Sequence, residues 1–245
     1  METANLKPRA VIFDVYGTLL EVGPPRQDAE TTWHHLWREM FGVAPRLRRL
    51  DFAVACSRAI SMRHDAARAL GIAYPEVQWP SVVMEVVPEL GLLPAARREE
   101  FIYRQIETGH STRLAHGVTE LLPRLRGAGV LLGIASNAQA YTLRELKQHL
   151  QGAKLDFSLF QPELCFWSFE FGFSKPDPHV FRILSARLES HRIMPSETLM
   201  VGDRADNDTD PARRHGWQTW LLTPADAAGN DTGSWSQLSH RLIHP

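Results

Sequence analysis

Short apolar runs that close on a chemically reactive residue recur along this chain, and nothing else in it constrains the fold as much. Ala10-Val11-Ile12-Phe13 runs into Asp14 and then Tyr16-Gly17-Thr18. Gly129-Val130-Leu131-Leu132-Gly133-Ile134-Ala135 runs into Ser136-Asn137, and Thr198-Leu199-Met200-Val201 runs towards Asp203 and Asp208. Continuous apolar runs of this length read as strands buried on both faces, as in a parallel sheet. Phe157-Ser158-Leu159-Phe160 and Thr219-Trp220-Leu221-Leu222 are two further expected strands, and Gly117–Leu125, Ala138–Leu150 and Asp177–Leu188 carry helical spacing between them. Strands that alternate with helices predict βαβ units, here a doubly wound, Rossmann-like α/β core with a parallel sheet.

The interval after the first strand is different. Glu21 to Arg26 is polar and contains proline, which reads as a hinge. From Asp28 to Glu107 the pattern is helical throughout: Trp33, Leu36, Trp37, Met40 and Phe41 share one stripe, and Phe52, Val54, Ala55, Ile60 and Ala67 form another that stops at Gly71. Pro75–Leu90 and Ala95–Ile106 follow. Consecutive helices without a strand predict a helical bundle inserted after the first strand. The expected division is a core of 1–19 plus 113–245 and a helical module of 20–112. The tail from Ala225 to Pro245 carries Gly, Ser and Asn and reads as a surface segment.

Composition excludes several classes. The 245 residues carry 27 basic and 28 acidic side chains, a formal net charge of −1, so no electrostatic footprint for nucleic acid or an anionic membrane is present. No apolar run reaches the ~20 residues that cross a bilayer, and the N-terminal METANLKPRAVIFD has no secretory signal pattern. Cys56 and Cys165 make no disulfide framework and have no metal-type spacing. A reduced, cytoplasmic protein acting on a small molecule is the expectation.

Open α/β sheets bind ligands at the carboxyl ends of their strands. Asp14, Ser136, Asn137, Asp203 and Asp208 all fall there, and Lys175 lies in the loop Phe171-Gly172-Phe173-Ser174-Lys175-Pro176-Asp177-Pro178. Taken singly, a strand-terminal acid is a common turn residue and Ser136 a plausible helix cap. Together and in order they point to one site.

That order resembles the haloacid dehalogenase (HAD) superfamily of hydrolases, in the branch with a helical cap inserted after the first motif. The matching pieces are Phe13-Asp14-Val15-Tyr16-Gly17-Thr18-Leu19, Ala135-Ser136-Asn137, Ser174-Lys175-Pro176-Asp177-Pro178 and Gly202-Asp203-Arg204-Ala205-Asp206-Asn207-Asp208, spread over residues 8 to about 223. The resemblance implies that Asp14 is a nucleophile forming a covalent intermediate that water releases. It implies that Thr18, Ser136 and Asn137 bind substrate and that Lys175 neutralises charge beside Asp14. It also implies Mg²⁺ held by Asp14, Asp203, Asp208 and the backbone carbonyl of Tyr16. The physics agrees, because three acids facing one lysine repel each other without a cation, and a dianionic phosphate needs positive charge around it.

The family pattern breaks at one place. Phosphatases of the superfamily carry a second aspartate two residues after the nucleophile as general acid and base, and here that residue is Tyr16. A phenol with a pKa near ~10 is a poor base at neutral pH. Aspartate-x-tyrosine is the pattern of the 2-haloacid dehalogenases, whose halide leaves without a proton. Against that class stand Asp203 and Ala205, where those enzymes carry serine and asparagine, and Phe181 in place of a tyrosine. Arg26 and Arg38 are the candidates for their substrate-binding arginine, His34, His35, His64 and His110 for a substitute proton donor, and Glu170 for orienting Lys175. The expected function is Mg²⁺-dependent hydrolysis of a small phosphorylated metabolite through an aspartyl phosphate. The alternatives are a 2-haloacid dehalogenase-like hydrolase working through an aspartyl ester, and a catalytically degenerate binding protein of the same fold.

Overall fold

The computed structural model describes residues 7–227 and 229–243. In chain order these form β1 (Ala10–Phe13), β2 (Leu20–Gly23), α1 (Ala29–Phe41), α2 (Arg49–Ala69), α3 (Trp79–Val86) and α4 (Ala95–Arg104). There follow β3 (Ser111–Leu114), α5 (Val118–Gly127), β4 (Leu131–Ser136), α6 (Ala140–Gly152), β5 (Phe160–Trp167) and α7 (Ser168–Phe171). The last elements are α8 (Pro178–Ser190), β6 (Thr198–Gly202), α9 (Asp210–Arg214), β7 (Gln218–Leu222), β8 (Thr232–Gly233) and α10 (Trp235–Ile243).

Two compact units divide the chain, one holding it up to Glu21 and again from Arg113, the other Val22–Thr112. In the first, six parallel strands run in the order β5-β4-β1-β6-β7-β8. Strand β1 lies between β4 and β6, so the chain winds outward from it in both directions. Its side chains alternate between the faces. Val11 and Phe13 join Leu132, Ile134, Leu199 and Val201 in a core with Leu121, Leu125 and Leu146 of α5 and α6. Ala10 and Ile12 join Ala135 and Met200 against Val180, Phe181 and Leu184 of α8. Burial of each large side chain stabilises by ~1.5–3 kcal/mol relative to exposure, which explains why these strands are apolar on both faces.

The second unit has its own core. Trp33 and Trp37 on α1 are fully buried with Phe52, Cys56 and Ala59 of α2, Val82 and Val83 of α3 and Phe101 of α4. The Trp33 and Phe52 rings stand 4.9 Å apart, and the Trp33 indole donates to the Leu47 carbonyl at 2.8 Å. The buried stripe of α2 is therefore Phe52-Cys56-Ala59, whereas Val54 is exposed. The chain passes between the units through β2 and β3, which pair as a two-stranded sheet. The expected hinge thus begins as a strand.

Two further expectations are corrected. Residues 157–159 form a 3₁₀ turn, held by the Asp156 side chain accepting from the Ser158 amide at 2.7 Å, and β5 starts only at Phe160. The register of β5 on β4 shifts part-way, where Gln161, Pro162 and Glu163 interrupt the apolar run. The tail is not a surface segment: Leu238 and Leu242 of α10 are buried in the β1 core, and Trp235 stacks on Phe13 at 6.0 Å. Residues 228, 244 and 245 of that expected segment lie outside the described residues.

Candidate active site

Asp14 follows the last residue of β1, and its amide donates to Val201 O on the neighbouring β6 at 2.9 Å, so the nucleophile candidate sits at the carboxyl edge in mid-sheet. At the end of β6 the chain makes a π-helical turn, Ala205–Thr209, which returns Asp208 to the strand end beside Asp203. Wide turns of this kind recur at functional sites. Carboxylate oxygens of Asp14, Asp203 and Asp208 all lie within 4.8 Å of one another.

Lys175 stands among them. Its ammonium donates to Asp14 Oδ1 at 2.8 Å and to Asp208 Oδ1 at 2.5 Å. All three side chains are buried, with Lys175 only 3% exposed. Burial alone would lower the lysine, but the two carboxylates outweigh it and hold its pKa above the ordinary value. Asp14 is pushed up to about 6, by burial first, with Lys175 opposing and Asp208 and Asp203 adding to the rise. Asp203 is raised by desolvation and by Asp208. One positive charge does not balance three negative ones.

Two glycines make room for this cluster. Gly17 has φ +80°, a conformation that side chains disfavour, and a Cβ there would collide with the Asp203 carboxylate. A Cβ on Gly202 would collide with Asp208. Asp208 Oδ2 also accepts from the Arg204 amide at 3.1 Å, which fixes the carboxylate beneath the turn.

Of the other expected site residues, Thr18 is fully buried and its hydroxyl has no hydrogen-bond partner among the described residues. Ser136 is buried at the end of β4. Asn137 turns its amide onto Lys175: its Nδ2 donates to Lys175 O at 2.9 Å and its Oδ1 accepts from the Lys175 amide at 2.7 Å. The lysine is therefore positioned through its backbone by Asn137. Glu170, expected as a possible orienting group, is exposed, and the ammonium's carboxylate partners are Asp14 and Asp208. Phe181 is buried in the α8 core, and Arg26 and Arg38 are exposed.

Tyr16 has a definite partner. Its hydroxyl donates to Glu145 Oε2 at 2.5 Å, and the Thr142 side chain is a further hydrogen-bond partner. Burial and the Glu145 charge push the phenol well above its ordinary pKa. Glu145 itself is buried on α6. The sequence reading missed it, although a signal existed: Glu145 shares a helix face with buried Thr142 and Leu146, and an acid on such a face needs a partner.

The parallel sheet with an acid–lysine cluster at its carboxyl edge defines an open α/β protein, a class in which ligands bind at the strand ends. The sequence profile of the haloacid dehalogenase-like hydrolases matches residues 8–216, and the chain belongs to that family. No curated protein matches it. Among solved structures, a 2-haloacid dehalogenase from Pseudomonas syringae pv. Tomato is 19% identical, with a TM-score of 0.61 over 96% of this chain and 98% of that one. A putative HAD-hydrolase from Bacillus subtilis bound to magnesium is 22% identical, with a TM-score of 0.54 over 97% and 99%. A predicted phosphoglycolate phosphatase from Haemophilus somnus is 15% identical, with a TM-score of 0.52 over 96% and 98%. At these identities the likeness is one of fold. Among the described residues no helix is long and apolar enough to cross a membrane.

Proposed function

We propose that this hydrolase cleaves a small phosphorylated metabolite with Asp14 as nucleophile, and that it requires Mg²⁺. The observation that carries this reading is the cluster itself: three carboxylates gathered at one edge of the sheet, with a buried ammonium bonded to two of them. Such an excess of negative charge fits a divalent cation with oxygen ligands, and Asp14, Asp203, Asp208 and the Tyr16 carbonyl are the groups that would hold it. When bound, Mg²⁺ supplies positive charge to the cluster and to the phosphate oxygens.

The remaining chemistry belongs to the chain's own residues. A carboxylate oxygen of Asp14 attacks phosphorus, and the leaving oxygen departs with the bonding pair. Lys175 stabilises the charge that gathers on the phosphoryl oxygens while its contacts with Asp14 and Asp208 hold the nucleophile in place. The Thr18 hydroxyl, unpartnered among the described residues, and Ser136 are the groups proposed to meet the phosphoryl oxygens, and Asn137 positions Lys175. Water then attacks phosphorus and regenerates the Asp14 carboxylate. We read the helical unit Val22–Thr112 as the helical cap module of this family.

Phosphate release from aryl, acyl and sugar phosphates, with and without Mg²⁺, tests the reading, with Asp14→Asn as the blank. Mg²⁺-dependent release that vanishes in the blank is expected. Silence across the panel, or release that survives the substitution, contradicts it. One observation favours a second reading: the Tyr16 hydroxyl is tied to Glu145, and a halide leaves without a proton. Chloride release from a 2-halopropionate, indifferent to chelator, would establish that reading instead.

A further inference from the structure

The mechanism above makes no use of Glu145, yet this carboxylate is buried and bonded. Taking an acid out of water is unfavourable unless charged hydrogen bonds offset it, and here the Tyr16 hydroxyl is one such donor. A phenol owns a single proton and accepts through its lone pairs. That proton points at Glu145 Oε2, 2.5 Å away, and the fully buried Thr142 is the second partner of the same hydroxyl. Thr142 and Glu145 lie three residues apart on α6 and so on one helix face. Thr142 is fixed in turn, since its hydroxyl accepts from the Gln139 amide at 3.4 Å. The tyrosine two residues from Asp14 is thus fastened by its hydroxyl to the helix after β4.

We propose that Glu145 and Thr142 are positioning residues that keep the Tyr16 hydroxyl out of proton transfer, so that the protein hydrolyses only substrates whose leaving group departs as an unprotonated anion. Acyl phosphates and phosphates of acidic phenols are that class, and simple alkyl phosphates are not. The inference rests on the reading of Asp14 as nucleophile. In the first step the Asp14 oxygen bonds to phosphorus, the bond to the leaving oxygen breaks, and the electron pair stays on that oxygen as carboxylate or phenolate. In the second, water's oxygen bonds to phosphorus, both its protons remain on the released phosphate, and Asp14 leaves as a carboxylate. No step draws a proton from Tyr16.

The test is a series of aryl phosphates of graded leaving-group acidity, with one alkyl phosphate, in Mg²⁺. Wild type, Tyr16→Phe and Glu145→Ala are compared, with Asp14→Asn as the blank. General acid catalysis is worth ~10²–10⁴-fold, so kcat/KM of wild type is expected to fall by at least ~10²-fold from the most acidic phenol to the alkyl phosphate. Tyr16→Phe keeps the ring and is expected to show the same steep dependence. Glu145→Ala releases the hydroxyl and is expected to flatten it, which a purely structural role would not do. A flat dependence in wild type, a steeper one in Tyr16→Phe, or an unchanged one in folded Glu145→Ala overturns the proposal while leaving Asp14 as nucleophile. Absence of phosphate release from every substrate, or release undiminished in the blank, overturns the reading of Asp14 and this inference with it.

Discussion

Lys175 reaches Asp14 across 161 residues of sequence and closes to 2.8 Å, with the ammonium shared by Asp208. Removing the ammonium leaves two carboxylates buried together. Breaking a buried pair on one side costs ~3–5 kcal/mol. Lys175→Met is therefore expected to lower the melting temperature markedly in chelator and to abolish phosphate release. A cation bound only by the folded state restores stability by mass action, so Mg²⁺ should recover part of the loss. Thermal unfolding followed by circular dichroism, with Mg²⁺ and with chelator, checks both. A variant as stable as wild type in chelator would contradict the charge argument.

Gly17 and Gly42 separate site geometry from backbone strain. Both have positive φ, +80° and +74°, but a Cβ at Gly17 would strike the Asp203 carboxylate whereas Gly42 faces open space. Alanine in the left-handed region costs ~1–2 kcal/mol at either position. Only Gly17→Ala displaces a proposed metal ligand, and shifting a ligand's surroundings costs ~10–100-fold in affinity. Titration calorimetry with Mg²⁺ should show that loss in Gly17→Ala and none in Gly42→Ala.

The tail is held by the same core as the first strand. Leu238 is fully buried in the cluster that contains Phe13 and Val11. Leu238→Ala is expected to cost ~2–5 kcal/mol in urea unfolding, in the range of buried leucines elsewhere. A loss below about 0.5 kcal/mol, the size of a surface change, would place α10 outside the cooperative core.

Cys56 and Cys165 give the protein an alkaline limit. Burial pushes both thiols up to about 12, from 9.0 in a free chain. The folded state therefore binds more protons than the unfolded one above pH 9, and the stability that the buried neutral thiols contribute is lost as pH rises from about 9 towards about 12. Below pH 9 both states are protonated and the contribution is complete. Denaturant unfolding between pH 8 and 11 should show a decline that is shallower in Cys56→Ala/Cys165→Ala. At pH 7 a thiol reagent should leave the native protein untouched, because the thiolate is the reactive form.

Much of the sheet was legible because a strand buried on both faces is written as an unbroken apolar run. Val11-Ile12-Phe13 and Leu199-Met200-Val201 lie where they were expected and end beside the acids that make the cluster. Strand β5 was displaced because its apolar run is broken by Gln161-Pro162-Glu163, where its register also shifts. Helix α10 was missed because Gly, Ser and Asn were read as loop signals, while Trp235, Leu238 and Leu242, spaced as one helix face, make the contacts. Asp14, Asp203 and Asp208 were legible as acids at strand ends, whereas Lys175 lies in a loop and was joined to them by the order of the motifs and the family resemblance. The roles of Asn137 and Glu145 did not, since each depends on a side-chain bond to a residue far away in sequence, 38 positions for Asn137 and Lys175 and 129 for Glu145 and Tyr16.

In the proposed reaction Asp14 carries the phosphoryl group between the two steps. The most direct measurement is acid quenching during turnover of an acyl phosphate in Mg²⁺, followed by mass spectrometry of the peptide that contains Asp14. A phosphoryl adduct on Asp14 that appears within a turnover and is absent from Asp14→Asn is the predicted result. Turnover with no adduct on Asp14, or with the adduct on another residue, would contradict the account.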